Sequence, residues 1–193
     1  MAAPVLCEFR PFHAWVMAQQ HRPNLAPTVT DIREDLIEKN AHVVFDWDNT
    51  LKLYDKQTGR LRSRVSRDFL VHLKRDLGCR LYIISAIRPS RINLSTILTE
   101  VERLGLTDVF VDDQEDSDDV DGTENGHKCE VKPNEYAREG NVIICGYDKA
   151  ETFLRLASFD ADKGDKVIFF DDEEVNIENF EAIVPNSKCY LAV

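Results

Sequence analysis

Asp46 and Asp48 stand one residue apart in the run HVVFDWDNT, followed at once by Asn49 and Thr50. Carboxylates this close can hold a divalent cation, and one of them can attack phosphorus while the other moves protons. Further along, LYIIS ends in the hydroxyl of Ser85, NVIICG leads within a few residues to Lys149, and VIFF ends in Asp171 and Asp172. A carboxylate pair, a hydroxyl, an ammonium and a second carboxylate pair are the groups that metal-assisted phosphoryl transfer uses: a nucleophile, donors for the equatorial oxygens and hard oxygen ligands. Each has a plainer reading, as a turn cap, an ordinary strand-end hydroxyl or a solvated lysine. Against that, two acid pairs facing one another repel without a cation, and a helix start is a poor place for a lysine. Lys128, Lys132 and Lys166 compete with Lys149, but GYDKAETF sets Lys149 after a strand and 22 residues before Asp171.

The elements that must carry these residues follow from apolar periodicity. Residues 9–20 and 29–39 read as helices, the second with Thr28 as cap and Asp31 three residues on. Strands are expected over 42–46, 80–85, 109–112, 141–145 and 167–171, with a last one over 189–193. Helices are expected over 66–77, 90–104, 149–159 and 177–183. Unbroken apolar strands alternating with helices predict an α/β fold: a Rossmann-like three-layer sandwich with a mostly parallel sheet covered on both faces. Ligands of such sheets bind beyond the carboxyl ends of the strands, where the reactive residues fall. One domain over 1–193 is expected, with a helical extension over 1–40, a hairpin flap over 51–64 turning at Gly59, and an acidic mobile insertion over 113–135.

Composition narrows the classes. Apolar residues make up 43% and charged residues 31%, which fits a globular protein, and no apolar run approaches the length of a membrane span. The first dozen residues lack the pattern of a secretory signal, so a cytoplasmic location is the default expectation. Cys7, Cys79, Cys129, Cys145 and Cys189 are odd in number and scattered, without zinc or redox spacing, and read as reduced and structural. The net charge of −11 would fall to −4 without the seven acids between Asp112 and Asp121. An acidic chain repels a phosphate backbone, which disfavours generic nucleic-acid binding. The acidic run is no calcium loop: with Gly122 as sixth position, Ser117 falls first and Lys128 twelfth, where Asp and Glu are needed.

The four motifs, in order, resemble those of the haloacid-dehalogenase superfamily over about His42 to Asn176. Asp46, Asp48 and Thr50 match its D-x-D-x-T, Ser85 its second-strand hydroxyl, Lys149 its lysine, and Asp171 with Asp172 its acidic motif. The resemblance implies a magnesium-dependent phosphohydrolase, with Asp46 as nucleophile and Asp48 as general acid and then general base. The +2 acid is absent from the dehalogenating branch, so Asp48 favours phosphate chemistry. The cofactor implied is Mg2+, held by Asp46, the Asp48 carbonyl and Asp172, with Asp171 in support or exchanging roles with Asp172. Substrate contacts are expected from Asn49, Thr50, Ser85, Ala86, Arg88 and Lys149.

A receiver-like phosphoacceptor is disfavoured by motif order, since it carries its acidic pair on the first strand and its acceptor on a later one, with no acidic pair after the lysine. A catalytically silent scaffold of the same fold is the other alternative, although none of the four motifs is missing. Only 34 residues separate Thr50 from Ser85, too few for a full cap domain, and the longer stretch to Lys149 is filled by core elements and the acidic run. An open site, bordered by the flap and by the loop carrying Arg88 and Arg91, is expected. Such a site suits a phosphorylated macromolecule or a bulky phosphate ester; closure by a second copy of the chain would also serve. Arg60, Arg62, Arg64 and Arg67 are either a lure for an anionic substrate or a solvated basic face.

Overall fold

The structure, a computed structural model, describes residues 26–111 and 129–193. In chain order its strands are β1 (Thr28–Val29), β2 (His42–Phe45), β3 (Lys52–Tyr54), β4 (Leu61–Ser63), β5 (Arg80–Ser85), β6 (Glu130–Lys132), β7 (Tyr136–Glu139), β8 (Val142–Cys145), β9 (Val167–Asp171) and β10 (Ser187–Ala192). The helices are α1 (Arg67–Arg75), α2 (Arg91–Arg103), the single turn α3 (Thr107–Phe110), α4 (Lys149–Leu156) and α5 (Glu174–Ile183). Three helices start where a short polar side chain takes up an orphan N–H. Ser66 accepts from Phe69 N–H, Ser90 from Asn93 N–H and Asp148 from Glu151 N–H.

Eight strands form one sheet in the order β1-β10-β9-β2-β5-β8-β7-β6, parallel from β1 to β8 and antiparallel at the β7 and β6 edge. Every residue of β2, β8 and β9 is buried, which is why these strands read as unbroken Val, Ile and Phe. Alternate residues feed two cores. Val43, Phe45, Ile168 and Phe170 pack with Leu70, Leu73, Leu94, Ile97 and Val101 of α1 and α2. Val44, Val167 and Phe169 pack on the opposite face with Phe153 of α4 and Phe180 of α5. The mostly parallel sheet between helical layers is therefore as expected.

Three expectations fail. Residues 29–39 are not a helix, and among the described residues the 1–40 extension contains no α-helix; residues 1–25 lie outside them. Thr28 and Val29 instead pair with Leu191 and Ala192, and only Glu34–Leu36 makes a 3-10 turn. Two β-branched or hydroxyl residues beside the open edge of β10 gain ladder bonds that a short isolated helix lacks. The strand expected over 109–112 is, up to Val111, the helical turn α3 and its cap. Gly105, at φ 68, turns the chain, and Leu106 carbonyl then accepts from Val109 and Phe110 N–H. The sheet position beside β5 belongs to β8, so Val109 and Phe110 are buried as a turn of helix.

The third concerns the described end of 113–135, which belongs to the sheet rather than to an insertion. Glu130–Lys132 is β6, paired with β7, and Glu130 accepts from Tyr136 Oη and Arg138 Nε. Residues 112–128 lie outside the described set. The β7–β8 turn sits hard against α3: a Cβ on Gly140, at φ 56, would stand 2.6 Å from the Val111 carbonyl oxygen, so only glycine fits. The flap is present as the β3–β4 hairpin, with Gly59 at φ 65 in its loop. No separate folded cap stands among the described residues, and no helix among them is long and apolar enough to cross a membrane.

Candidate functional site

Register brings the acids together. Phe45 pairs with Phe170, so the next residues, Asp46 and Asp171, fall side by side at the ends of adjacent strands. Alternation carries both toward the face of Val44 and Phe169, where α4 packs. Lys149, the first residue of α4, meets them there: its ammonium donates to Asp46 Oδ1 at 2.5 Å and to Asp171 Oδ2 at 2.6 Å, with all three residues buried. Burial works to lower the Lys149 pKa, but Asp46 and Asp171 outweigh it and hold it raised. Burial pushes the Asp46 carboxyl up to about 7; Lys149 opposes the rise, and Asp171 and Asp172 add to it.

Asp171 is fully committed. Its Oδ1 accepts from Glu173 N–H at 2.9 Å and Asn176 Nδ2 at 3.0 Å, and its Oδ2 takes Lys149. Asp172 is half-buried and nearby: one carboxylate oxygen each from Asp46, Asp171 and Asp172 lies within 4.8 Å of the others. This set can hold a metal ion. All three donors are oxygen, the ligand type of small hard cations, and three carboxylates against one ammonium leave an excess of negative charge for a cation to neutralise.

Asp48 belongs to a second cluster. Its side chain is half-exposed and takes Lys52 Nζ on Oδ1 at 2.5 Å. Lys52 also donates to Glu100 Oε2 at 3.0 Å, and Glu100 accepts in addition from Trp47 Nε1 at 2.9 Å and Tyr54 Oη at 3.0 Å. Between the clusters the chain turns tightly: Asp46 and Trp47 carbonyls accept from Leu51 and Lys52 N–H, and Asn49 takes φ 59, a conformation asparagine tolerates. Thr50 is buried, and among the described residues its Oγ1 has no hydrogen-bond partner.

In sequence comparison, no protein-family model matches the chain, and no curated protein matches it.

Of the residues singled out from sequence, the structure joins Asp46, Lys149, Asp171 and Asp172 directly. Ser85 ends β5, which flanks β2 on the side away from β9, and it is buried facing Ile144 without a hydrogen bond to the acid–lysine cluster. Ala86 is half-buried and Arg88 exposed on the following loop, where the Arg88 carbonyl caps Asn93 Nδ2. The basic group on the flap side divides. Arg64 spends its guanidinium on the carbonyls of Asn49, Thr50, Thr30 and Val193, stapling the loop after β2 to the ends of the neighbouring strands β1 and β10. Arg67 pairs with Asp108. Arg60 and Arg62 are exposed.

Sequence reading missed Lys52, Glu100, Asn176 and the stapling role of Arg64. Lys52 had a signal, its four-residue spacing from Asp48. Glu100 had none, because 48 residues separate it from Lys52 and only packing of α2 brings it in. Among the described residues Cys79, Cys129, Cys145 and Cys189 are free thiols, and burial pushes Cys145 and Cys189 up to about 12, which disfavours the reactive thiolate; Cys7 lies outside the described residues.

Proposed function

We propose that this chain is a phosphohydrolase of the haloacid-dehalogenase type that works through an aspartyl-phosphate on Asp46. The observation that carries the reading is the Lys149 ammonium clamped between Asp46 and Asp171, with Asp172 in reach, at the carboxyl end of a parallel sheet. Magnesium, held by Asp46, Asp172 and the Asp48 carbonyl, would supply positive charge against the phosphate oxygens. Asp171, with both oxygens occupied, is better suited to fixing Lys149 than to binding the ion.

Asp46 then attacks phosphorus in line. As its carboxylate oxygen bonds to phosphorus, the ester P–O bond breaks and its electron pair leaves with the alcohol oxygen, which takes a proton from Asp48. In the second step water attacks phosphorus and gives its proton to Asp48, and the Asp46 carboxylate is released with inorganic phosphate. Lys149 offsets charge on the phosphoryl oxygens, and Ser85, on the strand flanking Asp46, would approach from the opposite side. Arg88 lies on the loop after β5, and the exposed Arg60 and Arg62 on the β3–β4 hairpin; these cations suit a bulky or macromolecular phosphate ester.

The test is hydrolysis of an aryl phosphate with and without magnesium. Turnover is expected to need the metal, to vanish with chelator, and to fall by about three orders of magnitude or more in Asp46→Asn. Near-normal turnover in that variant would sink the mechanism.

A further inference from the structure

Resting on that reading, we propose that Glu100 of α2 is a positioning residue that aims the proton-transfer group Asp48 through Lys52. The geometry is asymmetric. Glu100 is held by three donors from three residues, Trp47, Lys52 and Tyr54, and its side chain is 16% exposed. Asp48 has one side-chain ion pair, to Lys52, and its side chain is 52% exposed. The Lys52 ammonium between them is buried, with the rings of Trp47 and Tyr54 centred 5.7 and 5.3 Å away. Its backbone N–H is fixed as well, to the Trp47 carbonyl at 2.8 Å.

Order therefore passes in one direction. Glu100 cannot shift without breaking three bonds, so it fixes where the ammonium sits; the ammonium then fixes where the Asp48 carboxylate rests, while water leaves Asp48 free to turn. A carboxylate that first gives a proton to a leaving oxygen and then takes one from water needs both a defined resting place and room to move. Glu100 touches neither substrate nor reacting atoms; it acts only through Lys52. The same contacts tie α2 to the β3–β4 hairpin, so the hairpin and the proton-transfer group are positioned by one carboxylate.

A merely structural role and a positioning role separate by leaving group. Phenyl phosphate needs a proton on its departing oxygen, whereas a dinitrophenyl phosphate departs as a stable anion. In Glu100→Gln, the fall in kcat/KM, which reports phosphorylation of the enzyme apart from the later attack of water, is expected to be about tenfold greater for phenyl phosphate than for dinitrophenyl phosphate, a fraction of what general acid catalysis contributes. Glu100→Asp, which restores the charge, is expected to recover part of the difference. Equal losses for both esters, or no loss for either, would overturn the proposal.

Should Glu100→Gln not fold, Tyr54→Phe carries the test, because Tyr54 is exposed and gives Glu100 only its hydroxyl. A selective loss on phenyl phosphate of about twofold or more supports the assignment, in keeping with one hydrogen bond, and an unchanged ratio of the two esters overturns it. If the unaltered chain hydrolyses neither ester with magnesium, the phosphohydrolase reading fails and takes this proposal with it. If it hydrolyses both and the variants lose both equally, only the positioning role fails.

Discussion

Two lysines of this protein each sit between two carboxylates, and the surroundings make them different devices. Lys149 lies between Asp46 and Asp171 at strand ends, with all three side chains sealed from water. Lys52 lies between Asp48 and Glu100, and one of its two acids opens to solvent. In the first, the ammonium is shared between two carboxylates, and only Asp171 has further donors, Glu173 N–H and Asn176 Nδ2. In the second, water can replace the ammonium at Asp48. On the proposed function, this contrast is a division of labour: the sealed cluster would hold the nucleophile still, and the half-open one would let the proton carrier move.

Stability separates the two most sharply. Replacing Lys149 by methionine strands two buried carboxylates and is expected to cost about 3–5 kcal/mol in urea unfolding, unless a divalent cation added to the assay recovers part of it. Lys52→Met leaves Asp48 solvated and Glu100 still bonded to Trp47 and Tyr54, so about 1 kcal/mol is expected. Equal losses would mean that the difference in exposure carries no energetic weight, and the comparison would collapse.

The smallest effect is expected in the acidic run. Replacing residues 113–128 with a short Gly/Ser linker should leave magnesium-dependent turnover of a small ester within about a few-fold, since acidic and small polar residues offer little to bury. Extending the replacement through Glu130 is a different experiment, because Glu130 anchors Tyr136 and Arg138 at the sheet edge. If the shorter replacement abolishes turnover, the acids of that run belong to the site.

Residues buried in parallel strands were legible because nothing but a two-sided core makes HVVF, LYIIS, VIIC and VIFF worth their hydrophobicity. The candidate residues Asp46, Ser85 and Asp171 were legible for a related reason: a polar side chain at the end of such a run falls at a strand end. Where sequence reading failed, tertiary partners decided. Thr28 and Val29 were drawn to β10, and Val109 and Phe110 gave way to β8. Glu130 to Glu139 carried too weak an alternation to announce an antiparallel edge beside an acidic run. Glu100 was hidden because only the fold brings the Trp47, Lys52 and Tyr54 donors to an ordinary-looking helix position.

The central claim is that Asp46 becomes covalently phosphorylated, and trapping that bond tests it most directly. The protein is mixed with magnesium and an aryl phosphate, quenched within the first turnovers, and reduced with borohydride, which converts an acyl phosphate to an alcohol. Peptide mass spectrometry is then expected to find Asp46 converted to homoserine, with no conversion when magnesium is withheld. Sustained phosphate release with Asp46 unmodified, or with the label on another residue, would contradict the account.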